Sequence, residues 1–145
     1  IPRYRNDEAE FSKLLMGVDE FNFLTDTAIL VEGFFDKRNV DKILELDSQH
    51  EIKCCCTFGK KVSEEQILML LTRGIENIII VQDPDALEDS KKTGFELQKY
   101  FNVLLGTTPN GKDLDDCTEY EVLTTFDNLK KPEVFSTSYV EIKKF

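Results

Sequence analysis

Three short stretches place carboxylates at spacings that suit divalent-cation chemistry: Glu32-Gly33-Phe34-Phe35-Asp36, Asp83-Pro84-Asp85 and Asp113-Leu114-Asp115-Asp116. Hard cations such as Mg²⁺ take oxygen ligands, and two acids separated by one residue can address one ion or two neighbouring ions. Acids also collect in loops and at helix N-termini for unrelated reasons, so each stretch alone carries little weight; what matters is whether the fold gathers them. Gly33 would allow a sharp turn and a close approach of phosphate to the backbone. The basic residues that could meet a polyanion beside such a site are Lys60, Lys61 and Lys112, with Arg3 and Arg5 at the start of the chain. Lys60 and Lys61 equally suit a solvated loop, and the two arginines equally suit packing against another domain.

Other chemistries have less support. The single His50 follows a helical pattern in a polar stretch and reads as a solvated residue, which leaves little room for Ser/His or Cys/His catalysis. Cys54, Cys55 and Cys56 are adjacent, and neighbours on a strand point to opposite faces, so one ion cannot easily collect all three. With Cys117 they form neither a disulfide framework nor a paired zinc pattern, and they read as small hydrophobes in a reducing compartment.

The 145 residues suit one domain, and an apolar fraction of 41% with 11 Phe is ample for a core. Eighteen basic residues face 28 acidic ones, a net charge of −10. That balance argues against nucleic-acid binding by surface charge alone. It is compatible with a carboxylate metal site, since Glu32, Asp36, Asp83, Asp85, Asp113 and Asp115 account for more than half of the imbalance. No apolar run approaches the ~20 residues that span a membrane, and a cytoplasmic location is expected. The first residue is Ile1 rather than Met, and the chain is expected to be an excised or processed piece with domains missing on its flanks.

The elements that must position the acids follow from hydrophobic periodicity. Ala28-Ile29-Leu30-Val31, Ile52 to Phe58, Asn77 to Gln82 and Val103-Leu104-Leu105 read as buried strands. Helices are expected over residues 36–46, from Ser63 to Gly74, over 87–101 and over 115–129; Ser63 with Gln66 forms a capping box. Strands alternating with helices of this length imply a mostly parallel sheet of about four strands with helices on both faces. Residues 1–22 read as a lead-in from a further N-terminal subdomain, 23–130 as the domain itself and 131–145 as a C-terminal extension. The three acidic stretches then follow the first, third and fourth strands, at the edge where open α/β sheets hold their sites.

Glu-Gly-x-x-Asp after one strand and Asp-x-Asp after a later one resembles the Toprim catalytic domain, a Rossmann-like fold, and among its members the DnaG-type DNA primase of bacteria and phages. Arg3-Tyr4-Arg5-Asn6 resembles the Arg-Phe-Arg-Asn segment before the primase core, and Leu30-Val31-Glu32-Gly33-Phe34-Phe35-Asp36 resembles Val-Val-Glu-Gly-Tyr-Met-Asp. Phe58-Gly59-Lys60 with the following helix resembles the Leu-Gly-Thr loop, Gln82-Asp83-Pro84-Asp85-Ala86 resembles Tyr-Asp-Gly-Asp-Arg, and Gly111-Lys112-Asp113-Leu114-Asp115 resembles Gly-Glu-Asp-Pro-Asp. The chain departs from the pattern at Leu87-Glu88, where the family has Ala-Gly, and at Pro84, where it has Gly.

The resemblance implies a metal-dependent nucleotidyltransferase core that makes short RNA primers from nucleoside triphosphates on single-stranded DNA during replication. It implies two Mg²⁺ or Mn²⁺ ions on Asp83, Asp85, Asp113 and Asp115, a weaker contribution from Asp36, and Glu32 as ligand or general base. From their charge and position rather than from the resemblance, Lys60, Lys61 and Lys112 are expected to meet triphosphate or template, and Arg3 and Arg5 to meet nucleic acid. The template groove would come from a missing basic subdomain, with the replicative helicase as a further partner, and the isolated fragment is expected to be inactive. The rival readings are another Toprim enzyme, such as an OLD-like nuclease, and a Toprim-like module kept only for binding.

Overall fold

The computed structural model describes residues 14–59, 61–82, 85 and 87–132. Strands β1 (Thr27–Val31), β2 (Ile52–Cys56), β3 (Asn77–Gln82) and β4 (Asn102–Thr107) form one all-parallel sheet in the order β2-β1-β3-β4. Helices α1 (Phe34–Ile43), α2 (Glu64–Thr72) and α3 (Leu87–Leu97) make the three crossovers, and α4 (Glu119–Asp127) follows β4. The result is an open, Rossmann-like α/β sheet flanked by helices, as the alternation of patterns predicts.

Period-two alternation along the strands divides the core between two faces. Ile29, Val31, Cys54 and Val81 pack with Val40 of α1, Leu114, Cys117 and Val122 of α4. Ala28, Leu30, Cys55, Ile78, Ile80 and Val103 pack with Leu70 of α2 and Leu97 of α3. Cys54 and Cys55 thus serve opposite clusters, and all four cysteines are buried free thiols. Each fully buried aliphatic side chain contributes about 1.5–3 kcal/mol relative to exposure. The crossover through α1 covers one face and those through α2 and α3 cover the other. Winding therefore reverses between β1 and β3, and the carboxyl ends of those two central strands are where open sheets of this kind hold their ligands.

Several boundaries differ from the sequence expectation for local reasons. Helix α1 opens at Phe34 rather than Asp36, because Asp36 is the third helical residue and accepts the N–H of Gly33. It stops at Ile43, and Glu45 beyond it takes the left-handed conformation at φ 53. Strand β2 ends at Cys56, and Phe58, with φ 62, turns the chain away from the ladder. Helix α3 ends at Leu97 and β4 fills the space to Thr107. Helix α4 opens at Glu119 rather than Asp115, because Thr118 and Glu121 cap it reciprocally, and Leu114–Asp116 is a 3₁₀ turn. The Ser63–Gln66 box does cap α2.

Within the stretch read as a lead-in, Leu15 and Phe21 are buried against Leu30 and Leu70, and Met16 exchanges two backbone hydrogen bonds with Cys56. Residues 1–13 and 133–145 lie outside the described residues. No helix among those described is long and apolar enough to cross a membrane.

Candidate functional site

The carboxyl edge of β1 presents Glu32 and Gly33. The Glu32 carbonyl accepts the N–H of Phe58 at 2.9 Å and the Cys56 thiol at 3.2 Å, which fixes its backbone against the end of β2. Its side chain is half-buried, and Oε2 is shielded from solvent with no hydrogen-bond partner among the described residues. A shielded carboxylate oxygen without a donor is unfavourable until a cation or donor reaches it. Gly33 itself is extended, at φ −115 and ψ 160, so the sharp turn expected there is not what requires glycine. A Cβ at Gly33 would instead lie 3.3 Å from Asp36 Oδ2, tight against the carboxylate that caps the helix.

Asp36 is buried, 8% exposed, and both its oxygens are engaged. Oδ2 accepts the N–H of Gly33 at 3.1 Å and Oδ1 accepts the N–H of Asp115 at 3.0 Å. Burial pushes its pKa up, the charges of Asp115 and Asp113 push the same way, and the two backbone donors pull it back. One turn along α1, Asn39 Nδ2 donates to the carbonyl of Leu114 at 3.0 Å and to that of Cys117 at 3.4 Å. The turn after β4 is thereby held from one face of α1. Leu114 anchors it in the core at 1% exposure.

With Leu114 turned inward, Asp113, Asp115 and Asp116 face solvent, and one carboxylate oxygen from each lies within 4.8 Å of the other two. The Asp116 N–H donates to the Asp113 carbonyl at 3.0 Å, and this bond folds Asp116 back toward Asp113. Three anionic oxygens at this spacing could hold a hard divalent cation. Asp116 is the member that the sequence reading did not count as a ligand. Its position three residues after Asp113 is visible in the sequence, but its use depends on a 3₁₀ turn over Leu114–Asp116, where the periodicity predicts α-helix from Asp115.

Glu32 and Asp36 stand outside that cluster of three, on the loop that Asp36 ties to it. Asp85 is exposed between β3 and α3 and is also outside it. Lys112 Nζ turns to Glu121 Oε1 at 3.0 Å. Lys61 is exposed and lines a cavity of about 420 Å³ between α2 and α3 with Lys92 and Lys99. Asp83, Lys60, Arg3 and Arg5 lie outside the described residues. Phe34 and Phe35, which no pattern in the sequence marks as functional, are 43% and 64% exposed beside Glu32 and meet edge to face at 5.5 Å. No known protein-family model matches the chain, and no curated protein matches it either.

Proposed function

We propose that this chain is the metal-dependent catalytic core of a DnaG-type primase, joining nucleoside triphosphates into short RNA primers on a single-stranded DNA template. The observation that carries the reading is the hydrogen bond from Asp115 N–H to Asp36 Oδ1. It brings the Glu32 turn after β1 and the acidic turn after β4 to one edge of a parallel sheet, where such sheets hold phosphate chemistry. Asp113, Asp115 and Asp116 would hold one divalent ion, and Asp83 and Asp85, from the loop after β3, would complete a two-ion site. Bound Mg²⁺ or Mn²⁺ supplies charge neutralisation on the triphosphate and on the attacking 3′-hydroxyl. Glu32, whose Oε2 is shielded and without a donor, either joins the ligand set or takes the proton of that hydroxyl. Burial of Leu114 and the backbone bonds of Asp36 fix the acidic turn before any ligand arrives, so little reorganisation accompanies binding.

The test is a primer-synthesis assay with single-stranded DNA, nucleoside triphosphates and Mg²⁺ or Mn²⁺, with a basic N-terminal subdomain of a DnaG-type primase joined ahead of residue 1. Labelled RNA of a few nucleotides, abolished by EDTA, is the expected product. Metal-dependent cleavage of the DNA without RNA product would assign the site to a nuclease. Neither product, with no metal binding, would leave a binding module.

A further inference from the structure

We infer that Asp36 is a positioning residue: with Asn39 it clamps the acidic turn 113–116 from α1, and it is not itself a metal ligand. The inference rests on the metal reading above and corrects the weaker ligand role given to Asp36 from sequence resemblance. Both Asp36 oxygens already accept backbone N–H groups, Gly33 at 3.1 Å and Asp115 at 3.0 Å. Each oxygen keeps a second lone pair, but the Asp36 carboxylate is 8% exposed, held by two backbone N–H groups, and lies outside the group of acids whose oxygens converge. Asn39 lies three residues on, on the same helix face, and takes the opposite polarity. It donates to the carbonyls of Leu114 and Cys117 where Asp36 accepts an N–H between them. Donor and acceptor from one helix face thus grip the turn that carries Asp113, Asp115 and Asp116, and the grip leaves all three carboxylates facing solvent. The same Asp36 bond to Gly33 places the residue after Glu32, so one carboxylate sets the separation of the two loops.

Groups of this kind, one shell removed from the ligands, typically change metal affinity by 10–100-fold when altered. The experiment uses the full chain with Mn²⁺ as probe, comparing the parent with Asp36→Asn and Asn39→Ala by calorimetric titration. Amide hydrogen exchange is followed in EDTA. Each substitution is expected to weaken Mn²⁺ binding by about 10-fold or more. In Asp36→Asn the amide group introduced must face one of the two N–H donors, so Gly33 or Asp115 exchange should quicken by about 10-fold or more, with Ile79 unchanged. Should Asp36→Asn fail to fold, Asn39→Ala, which removes no charge, carries both measurements. If Asn39→Ala binds Mn²⁺ like the parent while Asp36→Asn loses it, Asp36 is a ligand and the inference is overturned. Fast exchange at Asp115 in the parent chain itself would overturn it as well. A parent that binds no Mn²⁺ overturns the metal reading, and with it the positioning role. Exchange at Asp115 then tells that failure apart from the absence of the clamp.

Discussion

Lys112 Nζ lies 3.0 Å from Glu121 Oε1, the same oxygen that accepts the N–H of Thr118 at 2.9 Å. One carboxylate therefore ties the residue just before the acidic turn to Thr118, two residues beyond it. A lysine whose charge and position suggest a phosphate contact is here part of the frame that closes the turn.

The backbone bond from Thr118 and the Lys112 ammonium hold the Glu121 carboxyl down at about 2, from an ordinary 4.5. A group whose folded pKa is depressed stabilises the fold fully above its unfolded pKa and loses that contribution as pH falls through the folded value. Glu121→Gln should therefore lower the urea midpoint at neutral pH, and the gap from the parent should close between about pH 4.5 and pH 2. Parallel urea melts across that range read the difference directly. A gap that stays constant with pH would assign the effect to packing.

Glu32→Gln keeps the side-chain shape and removes a charge that has no donor at Oε2. The metal-free variant is expected to melt at or above the parent temperature. The parent should gain stability in millimolar Mg²⁺ or Mn²⁺, about 2.7 kcal/mol when the free ion is 100-fold above Kd, and the variant should gain less. In the primase assembly the same change should cut primer synthesis by at least ~100-fold. Thermal melts in EDTA and in metal check the first half. A variant that is less stable without metal yet gains the full increment with it would make Glu32 a structural residue.

Lys37 is 5% exposed and its ammonium is bound by Asp41 and by Glu20 at 3.0 Å. Burial opposes the charge, yet the two carboxylates keep its pKa above the ordinary lysine value. Lys37→Met should cost about 2 kcal/mol, between the ~1 of an exposed pair and the ~3–5 of a fully buried one, because it leaves Asp41 half-buried without its cation. The stem of Lys37 also passes under Gly17, where a Cβ would come 2.8 Å from Lys37 Cε and 2.5 Å from the Cys54 carbonyl, at φ +105. Gly17→Ala is therefore expected to cost at least as much, and shortening Lys37 should not rescue it, since the closer clash is with backbone. Chemical denaturation of the two single variants and the double variant decides the point.

The sheet was legible because its strands are continuous apolar runs: Ile78-Ile79-Ile80-Val81 has no other use than a strand buried on both faces. Capping boxes were equally legible where they were sought. Ser63–Gln66 predicts the start of α2, and the same pattern in Thr118–Glu121 would have moved the start of α4 past the acidic turn. What the sequence could not convey is partnership at long range. Nothing local to Asp36 says that its oxygen meets a backbone N–H 79 residues on, or that Asn39 grips the same turn. Asp116 was hidden for the same reason, since its value as a ligand depends on a turn geometry fixed by Leu114 and α1.

The chain alone is expected to bind single-stranded DNA no more tightly than ~10⁻⁴ M at physiological salt, because affinity of this kind follows the number of phosphates neutralised. The net charge is −10, and the acidic turn lies at the edge a template would have to approach. Of the basic residues proposed to help, Lys112 is paired with Glu121, and Lys61 lines the cavity between α2 and α3. Phe34 and Phe35 offer exposed rings beside Glu32, but stacking is worth about 1–3 kcal/mol per base, and two bases stacked there fall short of the ~8 kcal/mol of micromolar binding. Divalent metal should improve binding by neutralising the acidic turn, and added salt should change little, since few counterions are displaced. Fluorescence anisotropy of a labelled oligonucleotide, with and without Mg²⁺ and across a salt series, measures both effects. Micromolar affinity with a steep salt slope in the absence of metal would overturn this expectation and move the template groove onto this chain.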